Sequence, residues 1–388
     1  MFKHLSILGT SLLSLTLIFL TPALGSGAQD RSFIQVQGAS LRERLDSAIE
    51  QAGRLSPRTS FWAAYKFNIR PGTAIDCVIN TAEGTTYVNG ASISDDSGFE
   101  TKNVAVFLRY EAGVDRLTKL ELYNLDRSHY FDGLPVYWVG QPGNDESLHF
   151  LDQLITGSAP DQAGKIDSEV RRRAVLAVAL HDDNRIGPML ESYVSSKYPD
   201  AVREPAVFWL GHVPGELPFL ERLAVNESES APVRKKAVFG IGISKDQTAL
   251  QSLERVYQTV QAPEVRKETL FGAYLNKDKA STDFLIKVAE TEQDRSLRKS
   301  AIFWLGQKAG EVTLKVLSNL VDQNGGETEV KKAAVFAISR RPADEAVPLL
   351  INIARRNSDR SVRKQAMFWL GQTEDSRAVD FFKEVLSK

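Results

Sequence analysis

The sequence predicts an α+β protein: a C-terminal all-α solenoid of about seven helical-hairpin repeats, preceded by a small β-containing domain. Three observations carry this expectation. A short motif recurs at nearly constant spacing from residue 170 to the C-terminal region. Each recurrence opens a segment with helical periodicity. The stretch 57–145 instead holds β-leaning runs divided by Gly- and Pro-containing turns.

The motif begins at Val170-Arg171-Arg172-Arg173-Ala174. It returns at Val202-Arg203, Val233-Arg234-Lys235-Lys236-Ala237, Val265-Arg266-Lys267, Leu297-Arg298-Lys299-Ser300-Ala301, Val330-Lys331-Lys332-Ala333-Ala334 and Val362-Arg363-Lys364-Gln365-Ala366. The offsets are 32, 31, 32, 32, 33 and 32 residues. Such a period marks supersecondary units that bury their apolar faces only by stacking on one another. With the opening aliphatic residue as position zero, positions zero, four and eight share one helix face. A small residue at position four lets a neighbouring helix come close. Gly211, Gly242, Gly306 and Gly371 stand at position nine, where a helix end is expected to need a residue tolerant of positive φ. A second amphipathic segment follows each polar turn, as at 249–260, 283–289, 312–321, 346–354 and 378–386.

The expected organisation is a signal peptide over 1–28, a helix over 38–56, a small β-rich domain over 57–145 and the solenoid over 146–388, its repeats starting near 170, 202, 233, 265, 297, 330 and 362. The signal expectation rests on Lys3 and His4, the apolar run Leu5 to Leu20, and Pro22 followed by small residues. It implies a periplasmic or extracellular mature chain with no stable membrane span. The helix expectation rests on the capping-box spacing of Ser40 and Glu43. The β expectation is a small antiparallel sheet built from the runs 61–69, 73–79, 85–89, 103–110 and 117–123.

The pattern Val-Arg-Lys-x-Ala-x-x-x-Leu-Gly, as in Val362 to Gly371, resembles bacterial HEAT-like repeats of the phycobilin-lyase type. The resemblance covers 170–388 and implies a right-handed solenoid acting as a binding scaffold; some members of that group attach bilins and others are adaptors or inhibitors. Members often carry an Asp shortly before the Val-Arg, and here Asp294 and Asp359 stand three residues before Leu297 and Val362.

Composition narrows function by exclusion. A 388-residue chain with 43% hydrophobic residues, 25% charged residues and a net charge of -1 lacks the basic excess of a nucleic-acid-binding domain. A single cysteine, Cys77, closes neither an intrachain disulfide nor a cysteine zinc site. The five histidines show no helical metal spacing, and phosphate loops, dinucleotide fingerprints and nucleophile elbows are absent. His181 and His212 are expected to be solvated turn residues. The chain is therefore expected to be non-catalytic and to need no cofactor or metal.

Two columns remain. Basic residues at position one (Arg171, Arg203, Arg234, Arg266, Arg298, Lys331 and Arg363) either neutralise a carboxylate of the preceding repeat, satisfy loop carbonyls, or form a stripe for an acidic partner. Phe208, Phe239, Phe271, Phe303, Phe336 and Phe368 occupy position six, on the side away from the core positions. They either pack between adjacent first helices or form a half-exposed stripe edged by Lys235, Lys267, Lys299, Lys332 and Lys364. The leading expectation is a scaffold or adaptor for a protein partner in the cell envelope. The alternatives are a cofactor-handling, lyase-like protein and a ligand-binding module built on Trp62, Tyr65, Tyr137 and Trp138 of the β region.

Overall fold

The computed structural model describes residues 33–55, 58–81, 84–93, 100–111, 116–158, 166–308, 310–323 and 325–387, with side chains left out for 76–93. The expected signal segment and the Cys77 side chain lie outside what it describes. It consists mostly of helical repeats with a small mixed sheet at the N-terminal side.

Strand β1 (Ile34–Gln35) precedes α1 (Leu41–Leu55), where Ser40 Oγ accepts from Glu43 N, the first half of a capping box, while the Glu43 carboxylate accepts from Ala39 N, one residue before the N-cap. There follow β2 (Phe61–Lys66), β3 (Thr73–Thr81), β4 (Gly84–Ile93), β5 (Val104–Glu111), β6 (Arg116–Asn124) and β7 (Val136–Gly140). The main sheet runs β1-β7-β2-β5-β6, while β3 and β4 pair as a separate hairpin. The expected antiparallel sheet is corrected here. Within the main sheet β7 lies parallel to both β1 and β2, while β2-β5 and β5-β6 are antiparallel, as is the separate β3-β4 hairpin. Strand β7 pairs with a strand some seventy residues upstream, and hairpin logic between sequence neighbours cannot find such a partner.

Alternation along the strands divides the aromatic residues between two faces. Phe61, Tyr65 and Tyr137 enter the main core with α1, whereas Trp62, Phe107 and Trp138 join Phe33 and Phe131 on the opposite face. The four residues expected to share an aromatic pocket are thereby separated, and Trp62, Tyr65 and Tyr137 are buried.

Helix α2 (Asn144–Thr156) packs on α3 (Ser168–Ala179) and leads into an alternation of helices: α4 (Ile186–Tyr193), α5 (Asp200–Leu210), α6 (Leu217–Val225), α7 (Ala231–Ile243), α8 (Ala249–Thr259), α9 (Pro263–Leu275), α10 (Ala280–Thr291), α11 (Arg295–Gln307), α12 (Glu311–Asp322), α13 (Thr328–Ser339), α14 (Ala343–Arg356), α15 (Arg360–Leu370) and α16 (Ser376–Leu386). Each recurrence of the motif falls in an odd-numbered helix. The odd helices from α3 to α15 each pack on the next, and the even helices form a second layer. Positions zero and four are fully buried along the stack, as at Val202 and Ala206, Val265 and Thr269, and Val362 and Ala366. Asp294 and Asp359 cap α11 and α15 by accepting from backbone N–H groups.

The position-nine glycines are not left-handed caps. Gly211 and Gly371 have φ of -61° and -74°, and Gly242 and Gly306 lie inside their helices. Gly211, Gly242 and Gly306 are contact points between successive odd helices, whereas Gly371, in the last of them, meets only its own helix. A Cβ on Gly211 would fall 2.7 Å from Gly240 Cα, one on Gly242 2.6 Å from Gly272 Cα, and one on Gly306 2.7 Å from Ala337 Cβ. Gly240, Gly272 and Ala337 all stand at position seven of the following repeat. Where position seven is instead a tryptophan, the preceding position nine is not glycine. Tyr274 there stacks on Trp304 with ring centroids 4.9 Å apart.

Candidate interaction surface

Five of the six aromatic residues at position six reach the next odd helix, and Phe368, in the last odd helix, meets Trp369 of its own helix. Phe208 stacks on Phe239 at 5.8 Å, and Phe239 meets Phe271 at 6.0 Å. Phe271 stacks on Trp304 at 4.8 Å, and Phe303 stacks on Phe336 at 6.4 Å. Phe336 reaches Trp369 at 5.2 Å, and Trp369 lies 5.0 Å from Phe368. The two sequence alternatives are therefore both present in part. The rings pack helix to helix, yet none of the six is buried, and Phe303 and Phe368 are 37% and 55% exposed. Helical geometry explains this, because position six points away from the second layer and its only neighbours lie along the stack.

Lysines edge these rings at position two. Lys235 pairs with Glu268 at 4.0 Å, and Lys332 pairs with Glu329 at 3.0 Å. Lys267, Lys299 and Lys364 are exposed and, among the described residues, form no ion pair. Between α7, α9 and α11 the stripe deepens into a cleft of about 520 Å³ floored by Phe271, Phe303 and Trp304 and rimmed by Lys235, Lys267, Lys299, Glu264 and Glu268. Burial pushes the Glu268 carboxyl above its usual range, against the pull of Lys235 and Lys236. Sequence reasoning missed Glu264, Glu268 and Tyr274. The signal was available for Glu268, since position three lies beside position six on the helix.

The position-one column is structural. Arg203 Nε donates to Val194 O at 2.8 Å, Arg234 Nε to Ala224 O at 3.0 Å, Arg266 Nε to Tyr257 O at 3.3 Å, and Arg298 Nε to Ala289 O at 3.2 Å. Each bond satisfies a carbonyl near the end of the preceding even helix, which helix geometry leaves orphaned. The carboxylate partners come from the loop entering the following repeat, not from the preceding one: Glu229 for Arg203, Glu292 for Arg266 at 2.7 Å, and Glu327 for Arg298 at 3.9 Å.

The histidine expectation is corrected. His181 is fully buried and stacks on Phe67 at 4.2 Å. Its Nδ1 donates to Ala177 O at 2.7 Å, so the neutral ring accepts at Nε2 from Ser147 Oγ, 2.8 Å away. Ser147 also lies 3.1 Å from Tyr65 Oη. Burial lowers the His181 pKa to about 4. The chain joins the sheet to the helices here: Arg70 N donates to Leu180 O and Asp182 N to Asn68 O, so the turn carrying His181 is covered by residues following β2. His212 is partly buried, and burial, with the charges of Arg70 and Lys245, lowers its pKa to about 4 as well.

No group of three or more His, Cys, Asp and Glu side chains placed to hold a metal occurs among the described residues. No helix among them is long and apolar enough to cross a membrane.

No curated protein matches the chain. Among solved structures it is similar to human deoxyhypusine hydroxylase in complex with glycerol, at 15% identity and a TM-score of 0.29 over 61% of this chain and 90% of that one. It is similar to lipovitellin at 12% identity and a TM-score of 0.40, over 78% of this chain and 37% of that one. It is similar to the CpcE–CpcF complex of phycocyanin lyase from Nostoc sp. at 17% identity and a TM-score of 0.27, over 52% and 79%. The family described as HEAT repeats matches residues 315–388.

Proposed function

We propose that the chain is a non-catalytic protein-interaction scaffold whose partner docks along the outward face of the odd helices. The observation that supports this most is the aromatic stripe. Six Phe residues at one repeat position remain accessible, and Lys267, Lys299 and Lys364, which form no ion pair among the described residues, run beside them. Contiguous exposed apolar surface with a charged rim is the anatomy of a binding face. Its chemistry suits a polypeptide that alternates apolar side chains with carboxylates. The non-catalytic reading draws support from the Ser147–His181 pair, since both residues are sealed from solvent and offer no approach to a substrate. The apolar run Leu5 to Leu20 supports a place of action outside the cytoplasm, in the envelope of a bacterial cell.

The test is affinity capture by the mature protein from its native envelope extract, read by mass spectrometry. A triple variant, Phe239→Ser, Phe271→Ser and Phe303→Ser, runs beside it and is checked for folding by circular dichroism. The reading expects one partner, reduced at least tenfold on the folded variant; aromatic anchors commonly contribute about 2 kcal/mol or more each. Equal recovery on the folded variant would contradict it. A small molecule co-purifying in place of a protein would favour the ligand-handling alternative.

A further inference from the structure

Arg234 is only 6% exposed, and its Nη2 is buried without a hydrogen-bond partner among the described residues. Its guanidinium is held as in the other repeats, with Nε donating to the carbonyl of the preceding even helix. In three sister positions the outer nitrogens then meet a carboxylate from the next inter-repeat loop, at Glu229, Glu292 and Glu327. These acids stand four, five and three residues before the next opening aliphatic. The corresponding residues before Val265 are Gln261, Val260 and Ala262, and none is acidic. An arginine cannot shed its proton, and a buried unpaired charge is strongly unfavourable. The fold has thus kept the cation and the pose while omitting the internal counter-charge.

We propose that Arg234 is a receptor for one external carboxylate, which completes the junction of α6, α7 and the α8–α9 loop as Glu229 and Glu292 complete their own. The ligand class follows from the sister sites: a planar oxyanion taking hydrogen bonds from the guanidinium nitrogens. The carboxylate belongs either to an acidic side chain of a bound polypeptide or to a free small acid.

The test is thermal unfolding of the full chain in acetate against chloride at equal ionic strength, for the wild type, Arg234→Met and Gln261→Glu. The wild type is expected to show a saturable rise of about 2 °C in Tm, as binding to the folded state alone produces. R234M should lose the response. Q261E supplies the missing acid, so it should be more stable in chloride and insensitive to acetate. A stronger response to acetyl-Ala-Glu-Ala-amide than to acetate assigns the carboxylate to a polypeptide, and an equal response assigns it to a free acid. A flat wild-type response to both probes overturns the proposal. So does a Q261E protein that still responds as the wild type does, an arm that holds even where R234M fails to fold.

Discussion

At the scale of the residue, glycine and histidine show how far a local reading extends. The repeat spacing made the position-nine glycines visible, but the reason for Gly211, Gly242 and Gly306 lies in a small residue one repeat away, against which their backbone packs closely. Gly242→Ala should therefore lower stability by about 1–3 kcal/mol, the usual range for overpacking a tight contact. Gly371→Ala should be neutral or slightly stabilising, because a Cβ there meets nothing closer than 3.5 Å and the backbone is already helical. Urea unfolding of the two variants checks this contrast, and equal losses would contradict it. His181 was illegible for a similar reason. It reads as a polar turn residue until β2 and α2, far away in sequence, close over it. Its folded pKa of about 4 lies below the ordinary 6.5. The unfolded chain thus binds more protons as pH falls from 6.5 to 4. Stability is complete above 6.5 and declines through that window by about 3 kcal/mol. His212 adds a loss of the same sign.

At the scale of the element, the helices were legible and the sheet was only partly so. Seven copies of one motif average out the noise of any single helix, so the helical segments could be placed from spacing alone. Strands β1 and β7 carry two and five residues, and their pairing is parallel and remote. Strand β1 is too short for a local signal, whereas Val136-Tyr137-Trp138-Val139 is rich in β-branched and aromatic residues and could have been read as a strand, though not its parallel partners. Contacts between elements also set a second pH response. Glu216, just before α6, shares a hydrogen bond with Glu191 of α4, and burial together with that neighbour raises its pKa to about 7. A raised carboxylate pKa means stability that is complete below about 4.5 and lost as pH rises through 7. This slope opposes that of His181 over nearly the same range, so the two partly mask each other in the wild type. Glu216→Gln keeps a hydrogen-bonding group without the charge and should leave a steeper acid decline. His181→Gln should leave the decline toward pH 7 exposed. Melting temperatures measured from pH 4 to 8 check both, and unchanged slopes would contradict the assignments.

At the scale of the whole molecule, one hydrophobic cluster runs without interruption from Val36 in the sheet region to Phe381 in α16. The sheet and the helical stack thus share a core, and the aromatic stripe is laid out by the same stacking that buries that core. The stripe itself was legible as a column in the sequence, but its accessibility was not, because it depends on which rings of the next repeat, Phe239 for Phe208 but Trp304 for Phe271, lie against each position. Its lysines should make partner capture salt-dependent, with the on-rate falling several-fold between about 0.05 M and 0.3 M NaCl as screening shortens. Binding kinetics with the captured partner check this, and a salt-independent on-rate would remove the lysines from the encounter. The most direct measurement is hydroxyl-radical footprinting of the complex, which reports side-chain accessibility ring by ring. The account predicts protection at Phe239, Phe271, Phe303 and Phe336, with the exposed Tyr130 and Leu386 labelled as in the free chain. Protection confined to the even helices or to the sheet, with the four rings still oxidised at their free rates, would contradict it.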